Sequence, residues 1–324
     1  MDIPGAPGGD GGRRILVTGG SGFIGSHLVQ ALRATGAEVT IADVIASREP
    51  GVSSVPIDLR APGAAAQVVT PGIDTIVHLA AATSVLRSVD RPAETFTANV
   101  TVTSALLEQA RLRGVRTFVF ASTNAVVGAA RQLPIHERTP LAPLTPYGAT
   151  KAAAEMLLSA YNAMYGVRCA WLRLTNVYGP GMGHKDSVIP RMMKAASGST
   201  PFEIYGDGLQ LRDYVYVADV VAAMRLAIES DVSGPVVIGS GRSTSVLDLA
   251  AMVREVTGVD LPLRHVPAKA GEMAKVVVDI AHAGTLGWRP ATALGPGLKQ
   301  VWDSWSAGAR TRPPMVPKVP SPAR

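Results

Sequence analysis

The feature that most constrains this chain is an alternation. Short β-branched runs at 14–17, 38–42, 75–79, 117–121, 169–174 and 235–238 are separated, for the most part, by stretches of helical periodicity such as 26–35, 94–113 and 147–165. A strand–helix–strand repeat lays successive strands side by side in parallel, because the crossover helix carries the chain back to its starting end. The runs lack polar alternation, as strands covered on both faces should. The expected fold is α/β, a doubly wound parallel sheet. After residue 180 the pattern loosens into Gly-rich turns at 181–183, 206–208 and 239–241, which predicts a smaller C-terminal α/β lobe.

Composition removes several function classes. With 47% hydrophobic and 17% charged residues among 324, the chain can bury a sizeable core and is not globally disordered. A single cysteine, Cys169, excludes an internal disulfide framework. The six histidines (27, 78, 136, 184, 265 and 282) show no ligand spacing, so no structural metal is expected. The net charge of +6 hints at nucleic acid, but Arg310, Arg312, Lys318 and Arg324 crowd a Pro-rich end. Without those four, 27 basic residues face 25 acidic ones, and no basic run is interleaved with aromatics. Neither a signal-peptide pattern at the start nor a membrane-length apolar stretch is present, so the expectation is a soluble cytoplasmic protein.

The run Ile15-Leu16-Val17-Thr18-Gly19-Gly20-Ser21-Gly22-Phe23-Ile24-Gly25 carries three glycines spaced G-x-x-G-x-x-G between a strand and a helix. In that context glycines let the backbone approach a pyrophosphate, whose charge rests on the helix N-terminal N–H groups. Asp43 ends the second strand, where its carboxylate can accept from both hydroxyls of a ribose and repel a 2′-phosphate. The pattern predicts a Rossmann dinucleotide site that prefers NAD to NADP. Asp58 and Leu59 follow the third strand, where Asp58 either receives the adenine amino group or caps a helix.

Tyr147 and Lys151 form a Tyr-x-x-x-Lys, with Thr145 and Pro146 reading as N-cap and first residue of a helix. Four-residue spacing places phenol and ammonium on one helical face. A neighbouring cation brings a tyrosine towards use as a base near neutral pH. Thr123, at the end of the fourth long run, can hydrogen-bond the reacting oxygen.

At these residues the chain resembles the extended short-chain dehydrogenase/reductase family, in its nucleotide-sugar epimerase/dehydratase branch. The resemblance rests on the glycine loop, His78-Leu79-Ala80-Ala81, Asn99-Val100, Thr123 and the 146–151 run. It continues through 172–180, 206–219 and Ser245-Val246-Leu247-Asp248, and covers about 14–305. It implies NAD contacts from Gly19, Gly22, Phe23, Ile24, Gly25, Asp43, Asp58, Leu59, Leu79, Ala80, Ala81, Asn99, Tyr147 and Lys151. It also implies a second lobe holding a nucleoside diphosphate sugar, for which a UDP-sugar is expected. Ser84, Thr123, Asn124, Tyr147, Asn176, Val188, Arg191, Arg212, Tyr214, Lys269 and Glu272 would line that site. The bland alternative for Arg212 is an ion pair with Asp213 or Asp219. Lys269 stands where the family usually has arginine, which loosens the diphosphate grip.

The expected division is a flexible tail at 1–12 and a Rossmann domain at 13–180 with a returning segment near 212–240. A sugar-nucleotide lobe follows at 181–211 and 241–308, then a basic tail at 309–324. Where 4,6-dehydratases carry Asp-Glu after the catalytic Thr, this chain has Asn124-Ala125, which cannot transfer protons. What remains is epimerisation at C4 through a transient ketone. Val276 falls near a gate position where a small residue would admit an enlarged sugar. A nucleotide-sugar 4-ketoreductase is one rival. A uronic-acid epimerase or decarboxylase is another, with Arg191, Lys185 and Ser84 as candidate carboxylate clamps. A non-catalytic dinucleotide module is the third. Glu155, one turn beyond Lys151, either pairs with it or, as the preferred reading, faces solvent or a neighbouring subunit, and a homodimer is expected from the family.

Overall fold

The computed structural model describes residues 12–311 other than Arg48, Ser199 and residues 269–272. Of the tails expected at 1–12 and 309–324, residues 1–11 and 312–324 lie outside the described residues, and 309–311 belong not to a tail but to the last turn of a helix, Leu294–Thr311. Seven parallel strands make the main sheet: β1 (Arg14–Thr18), β2 (Glu38–Asp43), β3 (Ser53–Pro56), β4 (Thr75–His78), β5 (Thr117–Thr123), β6 (Arg168–Leu174) and β10 (Gly234–Ile238). Their order is β10-β6-β5-β4-β1-β2-β3. The winding reverses between β1 and β4, which opens a crevice beyond the carboxyl ends of those two strands.

The apolar runs divide by parity between the two faces. Ile15 and Val17 pack with Leu28 and Leu32 of α1 (Phe23–Arg33) and with Val220, Met224 and Ala227 of α8 (Val217–Glu229). Leu16 faces the other way, with Phe118, Phe120, Leu106 and Leu107 of α5 (Val102–Arg113) and Leu158 of α6 (Pro146–Met164). Both cores exclude water, so the sheet presents chemistry only at its strand ends.

A third core belongs to the second lobe. It gathers Met192 and Met193 of α7 (Val188–Gly198), Phe202 and Ile204 of β8 (Phe202–Tyr205), and Leu249 and Val253 of α9 (Val246–Thr257). β8 pairs with β12 (Leu263–Val266), while β9 (Leu211–Tyr216) lies between β7 (Asn176–Tyr178) and β11 (Ser243–Ser245). Both edges of β9 are therefore occupied outside the main sheet. Of the elements near 212–240, α8 packs on the main sheet and β10 is its edge strand, while β9 pairs outside it.

Two local differences matter for the site. The segment 94–113 is not one uniform helix: α4 (Pro92–Phe96) and α5 are joined by a π-helical turn over Thr97–Thr101. A short helix, α3 (Val85–Asp90), precedes them. Among the described residues, no helix is long and apolar enough to cross a membrane, and no group of three metal-ligating side chains occurs.

Candidate active site

The glycine loop is built by close approach. Gly19 has φ +71°, and a Cβ there would stand 2.6 Å from the Ala80 nitrogen, where the loop after β4 crosses it. Gly25 is pressed against the same turn; a Cβ would overlap the Gly19 carbonyl oxygen and lie 2.7 Å from the Gly20 Cα. Gly22 differs, since its Cβ would meet only the Gly19 oxygen at 3.2 Å. Gly22 is the N-cap of α1 and contributes no side-chain cap, so first-turn N–H groups stay open to an anion. Asp43 braces this turn: its carboxylate accepts from the Ser21 and Ile45 N–H groups, each at 3.1 Å.

The other expected cofactor residues are placed unevenly. Leu79 donates its N–H to the Thr18 carbonyl at 3.0 Å, and the Ala80 N–H reaches the Thr18 hydroxyl at 3.3 Å, with Ala81 following. Ile24 is half-buried, whereas Phe23 is buried in the second lobe's core beside Tyr178 and Tyr216. Asp58 forms an exposed ion pair with Arg60 at 2.7 Å, and the Arg60 hydrogen bonds hold its carboxyl below the usual range; Leu59 is half-buried beside it. Asn99 sits in the π-helical turn. Its Oδ1 accepts from the Ala82 N–H at 2.8 Å, and its Nδ2 donates to the Ala82 carbonyl at 3.1 Å and to Thr150 at 3.0 Å. With both amide protons engaged, Asn99 shapes the 79–82 loop rather than offering a donor to a ligand.

The catalytic candidates converge on the end of β5. Thr145 caps α6 by accepting from the Gly148 N–H at 3.2 Å, with Pro146 in its first turn, as the sequence predicts. Gly148 lets the helix touch the turn after Thr123, since a Cβ would lie 2.5 Å from the Ala125 oxygen. The Tyr147 N–H is held by Ser88 of α3 at 3.1 Å. Burial pushes the Tyr147 phenol up to about 12, and its hydrogen bond with Thr123 pulls the other way. Lys151 is buried and donates to the Ala121 carbonyl at 2.8 Å, with its ammonium 4.3 Å from the Phe120 ring centre. Desolvation draws Lys151 down to about 7, opposed by the Glu155 carboxylate.

On the lobe side, Asn176 opens β7 and Tyr214 is its partner on β9; the Asn176 amide donates to the Asp213 carbonyl at 3.0 Å. Arg212, two residues earlier on β9, donates to the Leu211 carbonyl at 2.8 Å. The two acids proposed as its structural partners serve elsewhere. Asp213 accepts from Thr175, Ser240 and the Arg242 N–H, while Asp219 accepts from the Ala291 and Thr292 N–H groups. Val188 begins α7, half-buried. Arg191 is stacked over Phe202 and Tyr205, at 5.3 and 5.2 Å. Ser84 caps α3 by accepting from the Arg87 N–H. Asn124 is buried, and among the described residues neither amide atom has a hydrogen-bond partner. Lys269 and Glu272 lie outside the described residues.

Residues 15–239 match the profile of the NAD dependent epimerase/dehydratase family. The chain belongs to that family. It is 35% identical to a putative UDP-glucose 4-epimerase of Methanocaldococcus jannaschii, over 89% of this chain and 96% of the relative. Two crystal structures share the fold. The UDP-glucose 4-epimerase of Thermotoga maritima with UDP-glucose is 32% identical (TM-score 0.86; 91% of this chain, 99% of that one). The UDP-glucose 4-epimerase of Thermus thermophilus with NAD is 33% identical (TM-score 0.83; 90% and 99%).

Two residues that support the site, His78 and Glu155, are placed by contacts that the sequence pattern does not reveal. His78 lies under the crevice between Thr18, at 2.7 Å, and Thr103, at 3.0 Å. The Thr103 hydroxyl gives its own proton to the Asn99 carbonyl, so it accepts from His78 Nε2–H, and His78 Nδ1 accepts from Thr18. Burial, reinforced by Lys151, holds this imidazole neutral, down to about 3. Glu155 is a correction. It is fully buried and paired with Arg173, neither solvent-facing nor available to a partner subunit. A charge on the strand run at 169–174, otherwise buried, was the signal that a counter-ion had to come from somewhere.

Proposed function

We propose that the chain is an NAD-dependent epimerase acting at C4 of a nucleoside diphosphate sugar, with a UDP-hexose of the glucose/galactose type as substrate. The observation that carries this reading is the set at the end of β5. Thr123 hydrogen-bonds Tyr147, Lys151 bonds the Ala121 carbonyl two residues earlier, and Asn124-Ala125 follow in place of an acid–base pair. The family relation and the UDP-glucose 4-epimerase relatives support it.

The residues present fit NAD. A Cβ would fill the cradle at Gly19 and Gly25, the start of α1 is uncapped, and Asp43 ends β2 where a ribose would lie. Bound there, NAD supplies a two-electron acceptor and donor for the sugar C4. Tyr147 takes the proton of the C4 hydroxyl as the carbon becomes a ketone, and returns it after the sugar has turned its other face. The Lys151 ammonium lowers the cost of the phenolate, and Thr123 holds the C4 oxygen. Asn176, Arg212 and Tyr214 serve the diphosphate, with Lys269 and Glu272 assigned to it and to the nucleotide ribose. Ser84, Asn124 and Val188 border the sugar. Arg191, held between two rings, steadies α7 instead of clamping a carboxylate, which weighs against a uronic acid. Val276 packs with Val126 and Val127, next to the catalytic turn, as a residue controlling sugar size would.

A homodimer is part of the proposal. Leu86 and Val89 on α3, Phe96 on α4 and Met156 on α6 are exposed apolar side chains on helices that pack against one another. The test of function is incubation of the purified protein with UDP-, TDP- and GDP-sugars without added NAD, followed by NMR. Interconversion at C4 supports the proposal. Turnover only with NADPH and a keto-sugar overturns it in favour of a ketoreductase.

A further inference from the structure

Every catalytic candidate hangs on three consecutive residues of β5. Lys151 bonds the Ala121 carbonyl, Thr123 meets Tyr147, and Ser122 between them points the other way, into the protein. There the Ser122 hydroxyl donates to Glu155 Oε1 at 2.5 Å. Glu155 lies one turn beyond Lys151 on α6 and is fully buried. Arg173 of β6 closes on it with Nε at 3.1 Å from Oε1 and Nη2 at 2.7 Å from Oε2. The remaining Arg173 Nη1 donates to the Glu137 carbonyl at 2.9 Å, and the Glu137 carboxylate accepts from the Val237 N–H at 2.9 Å. One buried chain of polar contacts thus joins α6, β5, β6 and β10 directly behind the catalytic face.

A buried ion pair is a poor choice if stability is the only aim, because well-packed apolar side chains of similar volume serve as well or better. What a carboxylate adds is direction and charge. We propose that the Glu155–Arg173 pair, clasped by Ser122, is a positioning device that holds Lys151 charged and in register with Thr123. The proposal rests on the epimerase reading for what Lys151 does, but not for its geometry. The groups facing Lys151 are Tyr147 and Glu155 on its own helix, His78 from β4, the Phe120 ring and Ala121 carbonyl from β5, and Arg173 from β6 behind Glu155. His78 is neutral and the Arg173 charge is matched, so Glu155 is the group whose charge favours the ammonium.

Glu155→Gln alone leaves the Arg173 charge buried without its counter-ion. The informative protein is therefore the double variant Glu155→Gln with Arg173→Met, in which both charges go. In the NAD-loaded double variant the Lys151 ε-amine, followed by lysine NMR, titrates at lower pH than in the wild type. Its kcat at pH 8 falls at least about tenfold with KM for the UDP-sugar within about twofold, and the alkaline limb of the profile moves to lower pH. Glu155→Asp keeps the charge and restores that limb. Ser122→Ala leaves both charges paired and lowers kcat about threefold at constant KM. A folded double variant whose Lys151 titration and kcat profile superimpose on the wild type overturns the proposal. If the double variant does not fold, an unchanged kcat in Ser122→Ala overturns it. The titration needs no turnover. Failure of the wild type to epimerise any UDP-sugar would therefore sink the functional reading while leaving this one decided by the NMR.

Discussion

Gly22 and Gly25 belong to one loop and one motif, yet the structure predicts opposite consequences for replacing them with alanine. At Gly25 the new methyl would overlap the Gly19 carbonyl oxygen and lie 2.7 Å from the Gly20 Cα, all backbone that cannot swing aside. Overpacking of that kind costs about 1–3 kcal/mol. With an unfolding entropy of about 2.1 cal/mol/K per residue, each kcal/mol lowers the Tm of a 324-residue chain by roughly 1–2 °C. Gly25→Ala should therefore melt about 2–5 °C below wild type even without cofactor. At Gly22 the methyl meets one atom at 3.2 Å and otherwise faces the side where a pyrophosphate would lie. Its φ of −78° suits alanine, so the cofactor-free protein should melt within about 1 °C of wild type. The cost appears on adding NAD. At a concentration a hundred times the wild-type Kd, binding stabilises the wild type by about 2.7 kcal/mol. A tenfold weaker Gly22→Ala would gain about 1.4 kcal/mol, so its NAD-induced rise in Tm should be about half as large. Differential scanning fluorimetry of cofactor-stripped proteins, with and without NAD, measures both. Equal destabilisation of the two stripped variants, or a full NAD response in Gly22→Ala, would refute the assignment of that side of the loop to the pyrophosphate.

His78 titrates at about 3 in the fold against 6.5 when free, so the unfolded chain binds the extra proton between those values. Its contribution is complete above pH 6.5 and is lost as pH falls. At pH 5 the loss is about 2 kcal/mol. His78→Gln should lack that component, giving a flatter Tm between pH 7 and 5; parallel curves would contradict the assignment. Asn124→Ala removes a buried amide that has no partner among the described residues, so the Tm of the cofactor-stripped protein should hold or rise. The same change should lower kcat/KM for UDP-glucose about tenfold, as expected for one lost polar contact to the sugar. A fallen Tm with unchanged kcat/KM would make the amide structural. If the exposed apolar side chains of α3, α4 and α6 form the proposed dimer seam, the wild type has a dimer mass by light scattering and Phe96→Glu combined with Met156→Glu has a monomer mass; equal masses for the two proteins would contradict the proposal.

The sheet was legible because its strands are buried on both faces, and burial on both faces writes itself into the sequence as an unbroken apolar run. β3 left no such mark: it is four residues long, half polar, at the sheet edge, and ends in Pro56, which an edge tolerates. The three-residue strands β7 and β11 are equally silent, so nothing in the sequence separates β9 from the main sheet. At the candidate site, Thr123, Tyr147, Lys151 and the glycines are proposed from the sequence because the chemistry proposed for them demands particular residue types at fixed spacing. Asn99 carries a residue type that suits a ligand, but its two protons are claimed by Ala82 and Thr150, a fact that depends on a π-helical turn no periodicity reveals.

Glu155 shows where such reading stops. One turn beyond a lysine on a surface-seeking helix, a glutamate reads as solvated, and pairwise rules along the helix support that. The deciding partner is Arg173, eighteen residues away on another element. Arg173 sits between Leu172 and Leu174 in a strand buried throughout that stretch, where a charge cannot stand alone. The inference therefore runs most securely from the strand to the helix. A charged residue within a two-faced apolar run requires a buried counter-ion, and in this topology the residues available to β6 are those on the inner face of α6. That face also carries Lys151, so the same packing that neutralises Arg173 sets a carboxylate one turn from the Lys151 ammonium.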